Sequence, residues 1–348
     1  MASLATSSCA IAIVGGMASC SGEERCDDCW PEIVPDAKAE FLPFLDAGGE
    51  NLGRPDVCPN GVGRRRRIAV ATQHGCALRT DGRIVCWGTP VQNVGQARPP
   101  TGGFTEVSLR DERTCGIGVA GGLACWGRSL TVPPLGAVGQ VSVGTAHVCV
   151  LQSCGDLVCF GEDNSGATQV PAASYVAVAA GDSHTCAVRD NGSLLCWGDN
   201  RWRQASPPSG TFTMVATELM HGCAIRTDNS LACWGMGSPG QPVDGSDPDG
   251  ASWGQATPPA GQFKDVSTGR MHSCAVQIDG QVRCWGAGTT LGNCQASVAE
   301  CGQSMPPPDL FEEVAAGFTH SCGIRADGKI ACWGSTTGGR STPPTDFQ

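Results

Sequence analysis

Aromatic residues, positive charge and long apolar runs are all scarce in this chain of 348 residues. No apolar stretch approaches the ~18 to 20 residues of a membrane span, so the protein is expected to be soluble or merely tethered. Lys and Arg total 23 against 33 Asp and Glu, a net charge of −10, so the basic face that a nucleic-acid surface needs is missing. Only 5% of residues are aromatic, beside 49 glycines and 23 prolines, a composition that disordered chains share. Strict repetition argues against disorder, because Gly and Pro recur at fixed offsets as turns between short strands. Cysteine alone is abundant. Its 22 copies exceed what a reduced cytosolic protein normally carries and imply an oxidising location.

Most of those cysteines belong to one stretch used seven times, clearest as His184-Thr-Cys186-Ala-Val-Arg-Asp-Asn-Gly192-Ser-Leu-Leu-Cys196-Trp197-Gly198. The residues between the cysteines alternate around a turn-forming centre, which predicts two strands joined by a three-residue hairpin loop. The third loop position requires positive φ. Six repeats place glycine there (Gly82, Gly121, Gly155, Gly192, Gly280, Gly328) and one places Asn229, the next most tolerant residue. Such a loop sets the two cysteines opposite each other, with Cα atoms about 4.5 to 5.5 Å apart, within disulfide reach. Seven cross-strand disulfides are therefore predicted: Cys76 with Cys86, Cys115 with Cys125, Cys149 with Cys159, Cys186 with Cys196, Cys223 with Cys233, Cys274 with Cys284, and Cys322 with Cys332. Buried free thiols and zinc sites are the rival readings. Zinc is disfavoured because each hairpin offers two thiols on separate strands, without close Cys-x-x-Cys pairing.

First cysteines are spaced by 39, 34, 37, 37, 51 and 48 residues. Four short strands with turns occupy about 40 to 45 residues, so one repeat fits one propeller blade and the fold class is all-β, a seven-bladed β-propeller. An aromatic residue stands eleven positions before the first cysteine in five repeats (Phe104, Tyr175, Phe212, Phe263, Phe311), and proline pairs end most of them. All six histidines occupy the position two before the first cysteine. A ring of imidazoles invites a metal or acid/base reading, yet a position repeated by symmetry points first to a shared local need, a hydrogen bond to the neighbouring blade. The repeated Trp87, Trp126, Trp197, Trp234, Trp285 and Trp333 read as core between blades.

Residues 1–19 resemble an export signal, with the apolar Ala10-Ile-Ala-Ile-Val14 leading into Met17-Ala-Ser-Cys20. A lipoprotein signal with Cys20 lipidated, plain secretion, and an uncleaved or misassigned start remain open. Residues 20–63 read as a tether, in which Cys26, Cys29 and Cys58 suit structural disulfides better than a redox motif. The propeller is assigned to residues 64–348. Arg64 to Arg67, just before the first repeat, read as a solvated edge, with anionic headgroups or an acidic partner as the alternative. At the other end the chain begins an eighth repeat, and Phe347 is placed to fill the aromatic position that Arg65 leaves vacant in the first.

The frame Gly-x-x-His-x-Cys-Ala, then Asp-Gly, then Cys-Trp-Gly, followed by Gly-Gln (Gly95-Gln96, Gly254-Gln255, Gly302-Gln303), resembles the repeat of the regulator of chromosome condensation family over residues 64–348. That resemblance implies a seven-bladed propeller. Within the family the cysteine-stapled, exported form looks closer to the bacterial propeller-type β-lactamase inhibitory proteins than to the nuclear exchange factor. Arg110 and Arg113 replace glycine and histidine in repeat two, while repeat three has Phe160 for tryptophan and an extra Cys154, so irregular blades are expected there.

No Ser/His/Asp constellation or nucleophile elbow is legible, so no catalytic residue, cofactor or metal is expected. The spaced carboxylates Asp244, Asp247 and Asp249 lack the distal Glu of a calcium loop and read as an acidic surface. Recognition is expected where the repeat is broken: at the insertions Met236 to Gly254 and Ala287 to Met305, the second pinned by Cys294 with Cys301, and at Arg201, Trp202, Arg203 and Trp253. The function expected is a non-enzymatic, exported and monomeric propeller, an envelope lipoprotein or secreted, that binds a protein or surface ligand through rim loops of blades four to six. It meets no nucleic acid and touches membrane only through a lipid anchor. Inhibition of an extracellular or periplasmic enzyme, guanine-nucleotide exchange by family analogy, and hydrolase or lyase activity are the alternatives.

Overall fold

The computed structural model describes residues 65–88, 94–163, 165–239, 252–290 and 300–345. Among the described residues twenty-one strands form seven antiparallel sheets of three, each made of consecutive strands in the order first, middle, last. In blade four these are Tyr175–Ala180, His184–Arg189 and Leu194–Gly198. Gly192 at φ 82° and Asn229 at φ 67° occupy the left-handed loop position that the hairpin demands.

All seven predicted disulfides are present, and their Cα atoms lie 4.0–4.1 Å apart, closer than expected. Each pair sits directly opposite in its ladder, as Cys186 does with Cys196. Cys154 and Cys301 are disulfide-bonded as well. Cys294, the expected partner of Cys301, lies outside the described residues, as do Cys20, Cys26, Cys29, Cys58, the leader, the tether, the Asp244 to Asp249 loop and Phe347.

Three expectations need correction. Blades hold three strands among the described residues, not four. Where it is described, as from Asp199 onward, the segment after Cys-Trp-Gly runs as turns toward a proline pair, here Pro207-Pro208, whose missing N–H groups cannot support another ladder. Blades two and three are regular, since Cys115 pairs with Cys125 and Cys149 with Cys159 in the common register despite the altered residues around them. Nor do Arg66 and Arg67 form a solvated edge. Arg66 reaches Asp265 at 3.0 Å and the Val314 and Val266 carbonyls, while Arg67 pairs with Glu312 at 2.7 Å, so both serve contacts with blades six and seven.

The core lies between blades rather than inside any one. Seven apolar clusters each join two consecutive blades, and the last sets Ile68, Ala77 and Trp87 of blade one against Ala315, Ile324 and Ile330 of blade seven. A ring closed this way leaves no sheet face unpaired. Side chains also bridge the inner strands. Glu106 accepts from the Val141 N–H, Gln140 from Val178, Asp265 from Val314, and Glu313 from Arg67 and Ile68. A one-residue bulge after the buried aromatic re-aims the first strand just before these bridging residues, for example between Phe263 and Asp265.

Candidate partner-binding face

Because the three strands of a blade alternate in direction, the turn between first and middle strands and the end of the last strand lie on the same face. Hydrogen bonds tie them together: Asp199 N–H to Ser183 O at 2.8 Å, Met236 to Met220 at 2.9 Å, Ala287 to Met271 at 2.8 Å, and Ser335 to Thr319 at 2.9 Å. Four linkers enter the next blade through a buried glutamine pivot at Gln96, Gln204, Gln255 or Gln303. Gln204 and Gln255 are 1% and 0% exposed, and each accepts with Oε1 from the backbone N–H two residues earlier, at Trp202 and Trp253, both at 2.7 Å. Their own carbonyls accept the indole N–H of Trp234 and Trp285 in the following blade, both at 2.8 Å. Trp87 of blade one finds Arg340 O at 2.9 Å in the same role, which is how the C-terminal segment joins the first blade.

This pivot explains the two kinds of tryptophan. The repeated column is committed to neighbouring linkers and packs as core, with Trp333 edge-on to Phe311 at 5.8 Å. Trp202 and Trp253 stand at a linker position whose backbone is held identically but whose side chain is free to vary, since Val94 and Cys301 occupy it elsewhere. Neither is the fully exposed anchor expected. Both are half-buried, and Trp253 packs on Met271 and Ala287, bridging the loop after blade five to the turn of blade six. Arg201 is exposed and ion-paired to Asp199 at 3.0 Å. Arg203 is exposed and adopts φ 61° where four other linkers place glycine (Gly95, Gly166, Gly254, Gly302).

The first-to-middle turns complete the face, and sequence reasoning missed most of them. Over blades five to seven they carry Leu219-Met220, Met271 and Phe318, with the Arg270 guanidinium 4.5 Å over the Phe318 ring. Over blades two and four they carry Asp111-Glu112 and Asp182-Ser183. Reading the five positions before each first cysteine as columns would have found this division.

Along the axis the inner strands of all seven blades enclose a cavity of about 130 Å³. Arg66 stands at one end. At the other, Arg110 of blade two forms an ion pair with Glu218 of blade five. Both replace the glycine found at this position in blades three, four, six and seven. In blade four glycine avoids a clash, because a Cβ on Gly181 would come 2.5 Å from the Glu218 carbonyl oxygen.

The histidines are fully buried and act as predicted, between blades. Nε2 meets Thr185 Oγ1 from His147, Ser273 Oγ from His221 and Ser321 Oγ from His272, each at 2.8 Å. Burial depresses their pKa, to about 4 for His74, His147 and His184 and to about 3 for His221, His272 and His320. They are neutral at physiological pH. His320 is the exception in partnership: among the described residues its Nε2 has none, because blade one offers Gly75 and Val70 where the blades facing the other five histidines offer a hydroxyl. Among the described residues no group of three or more His, Cys, Asp and Glu is arranged to hold a metal.

Residues 175–201 and 311–340, covering blades four and seven, match the regulator of chromosome condensation (RCC1) repeat. The chain carries RCC1 repeats. No curated protein matches the sequence. Solved propellers resemble the RCC1-repeat ring in fold. The ectodomain of the Physcomitrella patens receptor kinase CR4 is 23% identical over 78% of this chain and 73% of its own, with a TM-score of 0.61. The CRINKLY WD40 ectodomain of the Arabidopsis thaliana receptor kinase ACR4 is 22% identical over 78% and 98%, with a TM-score of 0.59. Prp20p of Saccharomyces cerevisiae, described with its binding to Gsp1p and histones, is 18% identical over 72% and 80%, with a TM-score of 0.54.

Proposed function

We propose that this RCC1-repeat protein is a non-enzymatic, exported propeller that binds a protein partner through the turn face of blades four to six, with Trp202, Arg201, Arg203 and Trp253 as its anchors. One observation carries the reading: the same pivot that locks the linker backbone leaves one side-chain position unconstrained, and two adjacent linkers fill it with half-buried tryptophan. Tryptophan and arginine concentrate binding energy at protein interfaces because they bury large area while retaining a polar group. The left-handed Arg203 supports it, since strain kept at one linker where glycine would serve is characteristic of functional positions. Seven disulfides suit an oxidising compartment, and the ectodomain propellers of plant receptor kinases are a precedent for this fold outside the cell. In the same reading residues 1–19 direct export and Cys20 is the site of a lipid anchor.

The experiment is affinity capture from native envelope and culture fluid with the mature protein, repeated with a Trp202→Ala/Trp253→Ala variant whose melting temperature is checked first. A partner that loses at least tenfold in affinity to the folded variant supports the face. A partner that binds it undiminished removes the assignment. Intact mass of the mature chain tests cleavage and lipidation together.

A further inference from the structure

Away from that face's tryptophans, blade two buries a cation that forms no ion pair among the described residues, with Glu162 and Glu112 attracting it only at longer range. Arg113 takes the place of the histidine found in the six other blades, is 6% exposed, and its Nη1 has no hydrogen-bond partner among the described residues. Its Nε makes only a long 3.4 Å bond to the Arg128 carbonyl. Burial lowers the Arg113 pKa, yet a guanidinium keeps its proton at neutral pH. A buried charge that lacks a direct partner is costly for a fold to hold. The exchange is not a simple swap of side chains. A histidine here would face Val148, whereas His147 in the next blade meets the Thr185 hydroxyl.

Arg113 lines a cavity of about 160 Å³ together with Arg110, Asp111, Glu112, Arg128 and Thr145. One water needs only about 10 to 15 Å³, so there is room for a multi-atom ligand. The two carboxylates in the wall are paired with two other arginines of the same wall. Asp111 accepts from the Thr72 hydroxyl at 2.5 Å and lies 3.8 Å from Arg110, while Glu112 lies 3.8 Å from Arg128. Arg110 is committed to Glu218 across the axis. Arg128, 56% exposed, reaches Glu162 at 3.2 Å on the rim.

We propose that this cavity binds a small oxyanion, a phosphate or a carboxylate, with Arg113 as the buried counter-charge, Arg128 closing from the rim and the Thr145 hydroxyl as an additional donor. Planar guanidinium forks favour such groups because two parallel N–H donors match two oxygens. The site is independent of the partner face over blades four to six, so either assignment stands without the other.

The test is thermal unfolding of the intact, disulfide-bonded protein at constant ionic strength, with sodium chloride replaced stepwise by inorganic phosphate in one arm and by acetate in the other. A saturable rise in melting temperature in either arm, absent in Arg113→Met, is the expected result. The arm that saturates identifies a tetrahedral anion or a carboxylate. Arg128→Gln, altered at an exposed position, keeps the test decisive if Arg113→Met does not fold, and should raise the midpoint severalfold. No saturable rise over chloride, or a rise that both variants retain unchanged, overturns the proposal.

Discussion

Blade two and blade six share one register and differ in what they offer their neighbours. In blade six the frame is complete: Gly269 permits close backbone approach, His272 meets Ser321, and Asp265 takes the Val314 N–H. In blade two Arg110 and Arg113 stand where glycine and histidine belong, and each coincides with a changed residue in another blade. Arg110 is answered by Glu218, while Arg113 faces a blade that has lost its hydroxyl at Val148. The lesson is that an inter-blade position tolerates substitution in complementary sets, and that the set left incomplete, around Arg113, is where a ligand fits.

Acid should expose the difference most strongly. Each histidine has a folded pKa below its unfolded value, so the unfolded chain binds more protons as pH falls. Stability is therefore full above about pH 6.5 and is lost toward pH 4 to 3, at roughly 1.4 kcal/mol per pH unit per histidine. Six acting together would exceed the ~5 to 15 kcal/mol of a typical domain within about two pH units. Glu106, whose pKa burial raises, works in the opposite direction but is a single group. The joint between blades two and three has no histidine, so hydrogen exchange at about pH 5 should open the other joints first. Uniform opening around the ring would erase the distinction between the blades.

Next in size is the paired substitution of the two blades. His272→Ala leaves a cavity and strands the Ser321 contact, and is expected to cost about 2 to 4 kcal/mol in chemical denaturation. Arg113→Met removes a buried charge that has no direct ion pair and should change stability by less than about 1 kcal/mol, or raise it. Equal losses would mean that Arg113 is as deeply integrated as the histidines.

The axial pair gives a smaller effect. Arg110→Met or Glu218→Met alone should cost about 1 to 2 kcal/mol, and the double variant less than the sum, with a coupling of about 1 kcal/mol. Strict additivity would show that the two residues do not act as a unit. Smallest is Arg203→Gly. Relief of the left-handed conformation, about 1 to 2 kcal/mol, is offset by the glycine's own entropy of about 0.5 to 1 kcal/mol, leaving a slight gain in stability. If Arg203 serves the partner face, binding should fall as stability rises.

The blade count, the cysteine pairing and the inter-blade role of the histidines were legible because each depends on a short frame repeated at fixed offsets. The number of strands per blade was not, since proline pairs stop the last segment from pairing and the repeat length alone does not reveal it. Trp202 and Trp253 could be picked out as lying off the core column. Their half-buried state could not, because Met271 and Ala287, against which Trp253 packs, belong to another repeat. The arginine run was misread for a related reason: Asp265 and Glu312, the partners of Arg66 and Arg67, lie about 200 to 250 residues along the chain.

By itself, then, the sequence determined the hairpins, their sulfur links and their number, since these follow from turn chemistry and strand register within about ten residues. Only the closed ring decided which departures from the frame would meet. Arg110 and Glu218, 108 residues apart, touch because circular closure carries blade five across the axis from blade two. Arg113 has no such counterpart, because what it faces is set by the neighbouring blade's surface and by no local pattern.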